Sequence, residues 1–248
     1  MKLAIIGGTG CQKMVGNRAT PIHIETPYGE VEVYAQEQGE HTLHYLLRHG
    51  SGHTTPPHMI NYRANIDALR RLSVTHAIGI YAVGSITSMV LPGNLGLIDQ
   101  FIDFTGGTRE GTFFTGGASG VRHVPMVTPY SRQLRAVIAR ESTRLGLTLA
   151  LKGTYVCTNG PRLETPAEIA MFRRWGADYV GMTAATETTL ATEADMQFAG
   201  IVYSINWAAG LDAEGISFIE EEIAERITEN LSQLAQRALL ALASEERA

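Results

Sequence analysis

Cysteine is close to absent from this chain: Cys11 and Cys157 are the only two among 248 residues. Two thiols make no disulfide framework, which excludes a cross-linked secreted scaffold and points to a reducing, cytoplasmic setting. No uninterrupted apolar run approaches the ~20 residues that span a bilayer, so no membrane partner is expected. The first apolar run, residues 3–6, ends in glycines and is too short for the core of a secretory leader. A basic excess is missing as well. Twenty Lys plus Arg against 25 Asp plus Glu leave a net charge of −5, which disfavours a nucleic-acid polymer as partner. The metal-ligand spacings C-x-x-C and H-E-x-x-H do not occur, nor do the Walker loop or the dinucleotide G-x-G-x-x-G, so no metal is expected. Histidine is lacking from the second half: all eight lie at or before His123.

What is present suits an α/β fold. With 44% hydrophobic residues the chain is long enough to bury a large core, and no repeat or linker divides it, so residues 1–248 read as one domain. Short apolar runs at 3–6, 31–34, 42–47, 75–81, 95–98, 153–156, 179–181 and 200–205 predict strands. Helical spacing predicts helices over 59–72, 131–145, 165–175 and 219–243. Ser131 suits an N-cap, and Thr165-Pro166-Ala167-Glu168 combines a cap, a first-turn proline and a capping-box glutamate. Alternation of the two patterns implies a largely parallel sheet flanked by helices.

The chemistry-bearing motifs are individually weak. Gly7-Gly8-Thr9-Gly10 follows a strand and could cradle an anion with backbone N–H groups, or be a structural turn. Arg48-His49-Gly50 closes another strand, with His53 nearby; an arginine there is either a phosphate fork or one half of an ordinary salt bridge. Polar residues crowd the start of the helix after Pro56-Pro57, among them Asn61, Tyr62 and Arg63, which is costly unless they contact something. Glu164 stands at a helix mouth after Gly160-Pro161-Arg162, Glu187 lies in a helix-like segment after Gly181-Met182-Thr183, and Asn206 ends the last strand.

Taken in order, these motifs, with Thr26-Pro27-Tyr28-Gly29, Asn61-Tyr62-Arg63-Ala64-Asn65, Asp99-Gln100-Phe101-Ile102-Asp103 and His123-Val124-Pro125-Met126, resemble the purine nucleoside phosphorylase family in its 5′-methylthioadenosine phosphorylase branch. The likeness runs from about residue 3 to about residue 240. It implies one α/β domain with a central mixed sheet, usually a homotrimer with sites near subunit interfaces. The implied reaction is cleavage of a purine nucleoside by inorganic phosphate, a co-substrate, with no metal or organic cofactor. By motif position, Thr9, Arg48, His49, Thr183 and the backbone at Ala82 would clamp phosphate, and Met182 would lie against the sugar. His53 and Asn61 would be structural support. Glu164, Asn206 and His49 would serve catalysis, with Leu163 beside the base.

The base end departs from the methylthioadenosine branch. Where that branch resembles Gly-Pro-Arg-Phe-Ser-Ser and ends its last strand in Asp-x-Asp, this chain has Leu163-Glu164-Thr165 and Asn206-Trp207-Ala208, similar to 6-oxopurine phosphorylases. A carboxylate only accepts hydrogen bonds, and a 6-oxopurine offers the N1–H that neutral adenine lacks. The asparagine amide can accept from N7–H and donate to O6. Ordinary 6-oxopurine phosphorylases carry a late histidine towards the ribose 5′-hydroxyl; here the matching stretch is Gly215-Ile216-Ser217-Phe218-Ile219. Ile216 and Phe218 suit a methylthio group, although Ser217 could reach a hydroxyl and Phe218 could be core. The expected substrate is therefore S-methyl-5′-thioinosine, with a general inosine/guanosine phosphorylase or a methylthioadenosine phosphorylase as alternatives. A nucleosidase, or a binding module in which Tyr81 blocks phosphate, stands beside these. Two further departures are Tyr81 before Ala82-Val83-Gly84 and Thr186 before Glu187.

Overall fold

A computed structural model describes residues 1–16, 18–52, 54–107, 109–213 and 215–246, leaving aside the side chain of Gln12. The strands are β1 (Lys2–Gly7), β2 (Thr20–Thr26), β3 (Gly29–Gln38), β4 (His41–Leu47), β5 (His76–Ser85), β6 (Leu95–Leu97), β7 (Gln100–Phe104), β8 (Leu149–Ala150), β9 (Thr154–Thr158), β10 (Tyr179–Gly181) and β11 (Gln197–Trp207). The helices are α1 (Tyr62–Arg71), α2 (Arg132–Arg144), α3 (Pro166–Arg174), α4 (Ala184–Glu193) and α5 (Glu221–Glu245). Among the described residues these strands form one sheet in the order β2-β3-β4-β1-β5-β10-β9-β7, with β11 also on β5, β6 on β11 and β8 on β6.

The sheet is mixed rather than largely parallel. β1 runs parallel to β4 and β5, and β11 parallel to β5, as buried apolar runs require when helices cover both faces. The β2–β3–β4 meander, β5–β10 and β6–β11 are antiparallel. β2 escaped a reading by apolar runs because one face stays open to solvent, and β7 because none of its residues is buried and most are exposed. Helix ends follow their caps. Asn61 Oδ1 accepts the Ala64 N–H, so α1 starts at Tyr62, three residues later than spacing alone predicted, and Pro57–Met59 forms a separate short turn. Ser131 caps α2, and Thr165 with Glu168 completes the capping box of α3.

Two apolar layers hold the helices. α1 and α4 pack on one side through Ile66, Leu69, Leu190 and Ala191, and α2 and α5 on the other through Leu134, Ile138, Leu231 and Leu234. A smaller cluster seats α3 through Ile169 and Phe172. β5 is where the sheet forks: its first residues lie between β1 and β11, while Gly84 and Ser85 turn to pair with β10. Strands that diverge at their carboxyl ends leave a crevice there, the place where open α/β sheets take ligands.

Candidate active site

The crevice at this fork is a cleft of ≈ 780 Å³, counting the space open to solvent. Its floor comes from the ends of β1, β4 and β5 (Gly8, Thr9, Arg48, His49, Ala82), one wall from β10 and the mouth of α4 (Met182, Thr183), and the other from Leu163, Glu164, Asn206, Ile216 and Phe218. Every residue proposed from sequence for phosphate, sugar or base therefore lines one cleft. His53 lies outside the described residues, and Asn61 stays out of the cleft: its side chain caps α1 and donates to the Tyr28 carbonyl at 2.6 Å.

At the end expected to take phosphate, the arginine fork is engaged by a salt bridge, one of the two readings its motif allowed. Arg48 Nε donates to Glu187 Oε1 at 2.5 Å and Nη2 to Oε2 at 2.8 Å, while Nη1 donates to the Ile80 carbonyl at 3.1 Å. A bidentate carboxylate takes the fork because a guanidinium leaving water needs a counter-charge, and Glu187 is fully buried four residues into α4 from Thr183. Burial opposes the charge on Arg48, but Glu187 outweighs it and holds the guanidinium's pKa above its ordinary value. Nη2 also reaches the Ile6 carbonyl at 3.5 Å, so of the five guanidinium N–H groups one on Nη1 remains for a ligand in the cleft that Arg48 lines. Gly8 makes room for this: a Cβ there would stand 2.6 Å from Arg48 Nη1. The sequence motif marks Glu187 without giving it a partner; its pairing with Arg48 is what the fold adds.

Thr183 stands at the N-cap of α4 without a side-chain cap bond, and its N–H donates to the Tyr155 hydroxyl at 3.2 Å. Thr183 thus lines the cleft at the positive end of α4, a place that favours an anion. His49 Nδ1 is 2.7 Å from the Thr55 carbonyl, which can only accept, so that nitrogen carries the hydrogen and the ring plane is fixed. Thr9 is exposed at the turn, its carbonyl held by the Tyr203 hydroxyl at 2.7 Å.

At the base end, a bulge in β11 between Ser204 and Asn206 places Asn206 opposite Gly84 and Ser204 opposite Val83. Because neighbouring residues of a strand face opposite ways, the extra residue turns Asn206 away from the side of Ser204 and into the cleft. Asn206 is buried, and Nδ2 donates to the Trp207 carbonyl at 2.7 Å, which leaves Oδ1 and a second N–H for a ligand. Glu164 is half-buried and accepts from Thr158 Oγ1 at 2.6 Å; burial raises its pKa above the ordinary glutamate value. Arg109, unnoticed in the sequence, clamps this wall: it donates to the carbonyls of Asn159 at 2.7 Å and Met182, and to Asn159 Oδ1 at 3.1 Å. Gly160, at φ +65°, admits Met182, whose Sδ would lie 2.5 Å from a Cβ there.

At the third end, Phe218 is not core: it is 58% exposed. Its backbone is nonetheless anchored by a bridge to Asn206, with the Ile219 N–H on the Ile205 carbonyl at 2.8 Å. Tyr81 does not plug the phosphate end either; its hydroxyl turns to Glu187 Oε2 at 2.7 Å. Among the described residues no group of three or more His, Cys, Asp or Glu could hold a metal ion, and no helix is long and apolar enough to cross a membrane.

The sequence profile of the Phosphorylase superfamily matches residues 2–243. The chain is similar to the probable 6-oxopurine nucleoside phosphorylase of Dictyoglomus turgidum, 41% identical over 236 residues that make up 94% of this chain and 88% of that protein. It is also similar to the probable S-methyl-5′-thioinosine phosphorylase of Xanthomonas campestris pv. campestris, 42% identical over 222 residues and 88% of each chain. Among solved structures it is similar to the methylthioadenosine phosphorylase of Schistosoma mansoni in complex with tubercidin, with a TM-score of 0.90 and 26% identity over 98% of this chain and 92% of the other.

Proposed function

The chain belongs to the Phosphorylase superfamily, and from that premise we propose that it cleaves a 6-oxopurine nucleoside with inorganic phosphate, S-methyl-5′-thioinosine being the preferred substrate. The observation that carries this reading is the pairing of an acceptor-only carboxylate, Glu164, with the amide of Asn206 in the cleft that also holds Thr9, Arg48, His49, Ala82 and Thr183. The names borne by the Dictyoglomus and Xanthomonas relatives support both halves of it.

In the reaction the C1′–N9 bond breaks and its electrons pass to the purine, as a phosphate oxygen forms the new bond to C1′. The products are hypoxanthine and 5-methylthioribose-1-phosphate. Binding both reactants in one cleft makes the displacement effectively unimolecular. Thr183, the α4 N-terminus, the Ala82 backbone and the remaining Arg48 N–H hold the phosphate below the sugar, with Met182 against the ring. The leaving purine gathers negative charge and takes at N7 a proton that, in net terms, the phosphate gives up as it becomes the sugar ester. Asn206 Oδ1 accepts that N7–H while its spare N–H donates to O6, and Glu164 accepts N1–H, so the charge is met where it develops. Against adenine, Glu164 would oppose the N1 lone pair, a mismatch of about 1–3 kcal/mol. Ile216 and Phe218 offer the 5′ end an apolar surface, which favours a thioether over an unpaired hydroxyl.

The whole chain, 1–248, acts as one domain in this reading, in the cytoplasm and in purine salvage. A homotrimer is proposed with it, supported by apolar side chains left open on the chain's surface, Val121 and Val127 being 76% and 82% exposed.

The deciding measurement is base release from methylthioinosine, inosine and methylthioadenosine, each with and without phosphate. Turnover is expected to stop when phosphate is omitted and kcat/KM to rank methylthioinosine first. Continued hydrolysis without phosphate would make the protein a nucleosidase, and a preference for methylthioadenosine would overturn the assignment of the base. Asn206→Asp tests the amide separately. Replacing its N–H donor by a carboxylate oxygen sets one acceptor against another at O6, and the ratio of 6-amino to 6-oxo turnover is expected to rise about tenfold or more. Unchanged relative rates would remove Asn206 from base recognition.

A further inference from the structure

The cleft explains Arg48 but neither Glu187 behind it nor the hydroxyl of Tyr81, a residue that also lines the cleft. Tyr81 and Glu187 are both fully buried, 1% and 0% exposed, and both contact Arg48. The guanidinium lies over the Tyr81 ring at 4.6 Å, and the Tyr81 hydroxyl donates to the carboxylate that receives the fork. Glu187 Oε2 therefore takes two donors, Arg48 Nη2 at 2.8 Å and Tyr81 Oη at 2.7 Å. With Arg48 Nε on Oε1, three hydrogen bonds fix the carboxylate.

We propose that Tyr81 is a positioning residue for the phosphate-binding step, acting through Glu187 to fix the angle at which Arg48 presents its last N–H to the cleft. This inference rests on the phosphorolysis proposed above. The physical basis is the geometry of a planar fork. A guanidinium held at Nε and Nη2 by one carboxylate can still rock about that pair of bonds. The Ile80 carbonyl on Nη1 restrains it from one side, and the Tyr81 ring and hydroxyl restrain the ring face and the carboxylate together. Glu187 also sits one helical turn from Thr183, on the same face of α4. The carboxylate therefore ties the arginine to the helix mouth that supplies the other phosphate donors. Neither Tyr81 nor Glu187 needs to touch phosphate for this; the effect belongs to Arg48.

The test is Tyr81→Phe, which keeps the ring under the guanidinium and deletes the hydroxyl. The KM for phosphate is expected to rise about fivefold or more, because a buried carboxylate oxygen loses a donor and the pair loosens. The KM for the nucleoside should stay within about twofold. Tyr179→Phe is the comparison. It removes the hydroxyl of another buried tyrosine, one that donates to the Lys152 carbonyl at 3.0 Å away from the cleft, so it should lower the thermal midpoint yet leave the phosphate KM alone. If Tyr81→Phe does not fold, Glu187→Asp carries the test: it keeps the charge, draws the carboxylate back by one methylene and should raise the phosphate KM in the same selective way. A wild-type phosphate KM in either folded variant, or an equal rise in Tyr179→Phe, would overturn the positioning role while phosphorolysis stood. Wild-type protein without phosphate-dependent turnover would overturn both.

Discussion

Exchange of Glu164 for alanine is expected to lower kcat/KM on a 6-oxopurine nucleoside about 100- to 1000-fold, with turnover of a 6-aminopurine nucleoside far less affected. The size follows from two losses. A charge-assisted hydrogen bond to N1–H disappears, and the N1–H donor is then buried in the cleft without an acceptor; together they amount to about 3–4 kcal/mol in the transition state. Glu164→Gln, which keeps an acceptor oxygen, should fall between alanine and the wild type. The same residue sets an acid limit. Burial raises its pKa, so as pH falls through a window lying above the ordinary glutamate value of about 4.3 the carboxylate takes a proton and the charge-assisted bond to N1–H is lost. kcat/KM on methylthioinosine is expected to fall there, and Glu164→Gln to flatten that limb. The sign for stability is opposite. A carboxyl whose folded pKa is raised favours the folded state below its unfolded pKa, and that contribution fades as pH rises through the folded value. Activity and the Glu164 contribution to stability thus change in opposite directions with pH. A limb that survived in Glu164→Gln would have to belong to another group.

The second large effect concerns the charge pair beneath the phosphate site. Arg48→Met leaves Glu187 buried without its counter-ion and should destabilise the fold by about 3–5 kcal/mol, or about 6–20 °C in Tm for a chain of this size. That is a large share of the ~5–15 kcal/mol that keeps a typical domain folded. Much of the loss is the penalty on the abandoned charge, not the worth of the pair. Replacing the whole cluster, as Arg48→Met with Glu187→Met and Tyr81→Phe, removes every buried polar group together, and stability should return to within a few kcal/mol of the wild type. Phosphate-dependent turnover should not return with it. Thermal melts and phosphate titrations on both variants separate the two roles. A triple variant as unstable as Arg48→Met would mean that the cluster specifies the packing itself, and recovery of activity would remove Arg48 from phosphate binding.

The sequence by itself determined a good deal. Apolar runs located the buried strands because a strand covered on both faces must be apolar throughout, and the capping box at Thr165 and Glu168 announced its helix because those groups satisfy backbone N–H donors locally. The hydrogen-bonding capacity of Glu164 and Asn206 was also legible, since whether they can accept or donate is a property of the residues themselves, and both line the cleft. Tertiary structure decided what depends on groups far apart in the chain. The sheet is mixed in part because β5, paired with β11 throughout, exchanges β1 for the antiparallel β10 on its other edge, a choice of partners that no local pattern encodes. Asn206 reaches the cleft through a bulge whose register exists only against Val83 and Gly84. Arg48 and Glu187, 139 residues apart, meet because a guanidinium stripped of water must find a counter-charge, and only the folded chain brings that carboxylate, and the Tyr81 hydroxyl behind it, within reach.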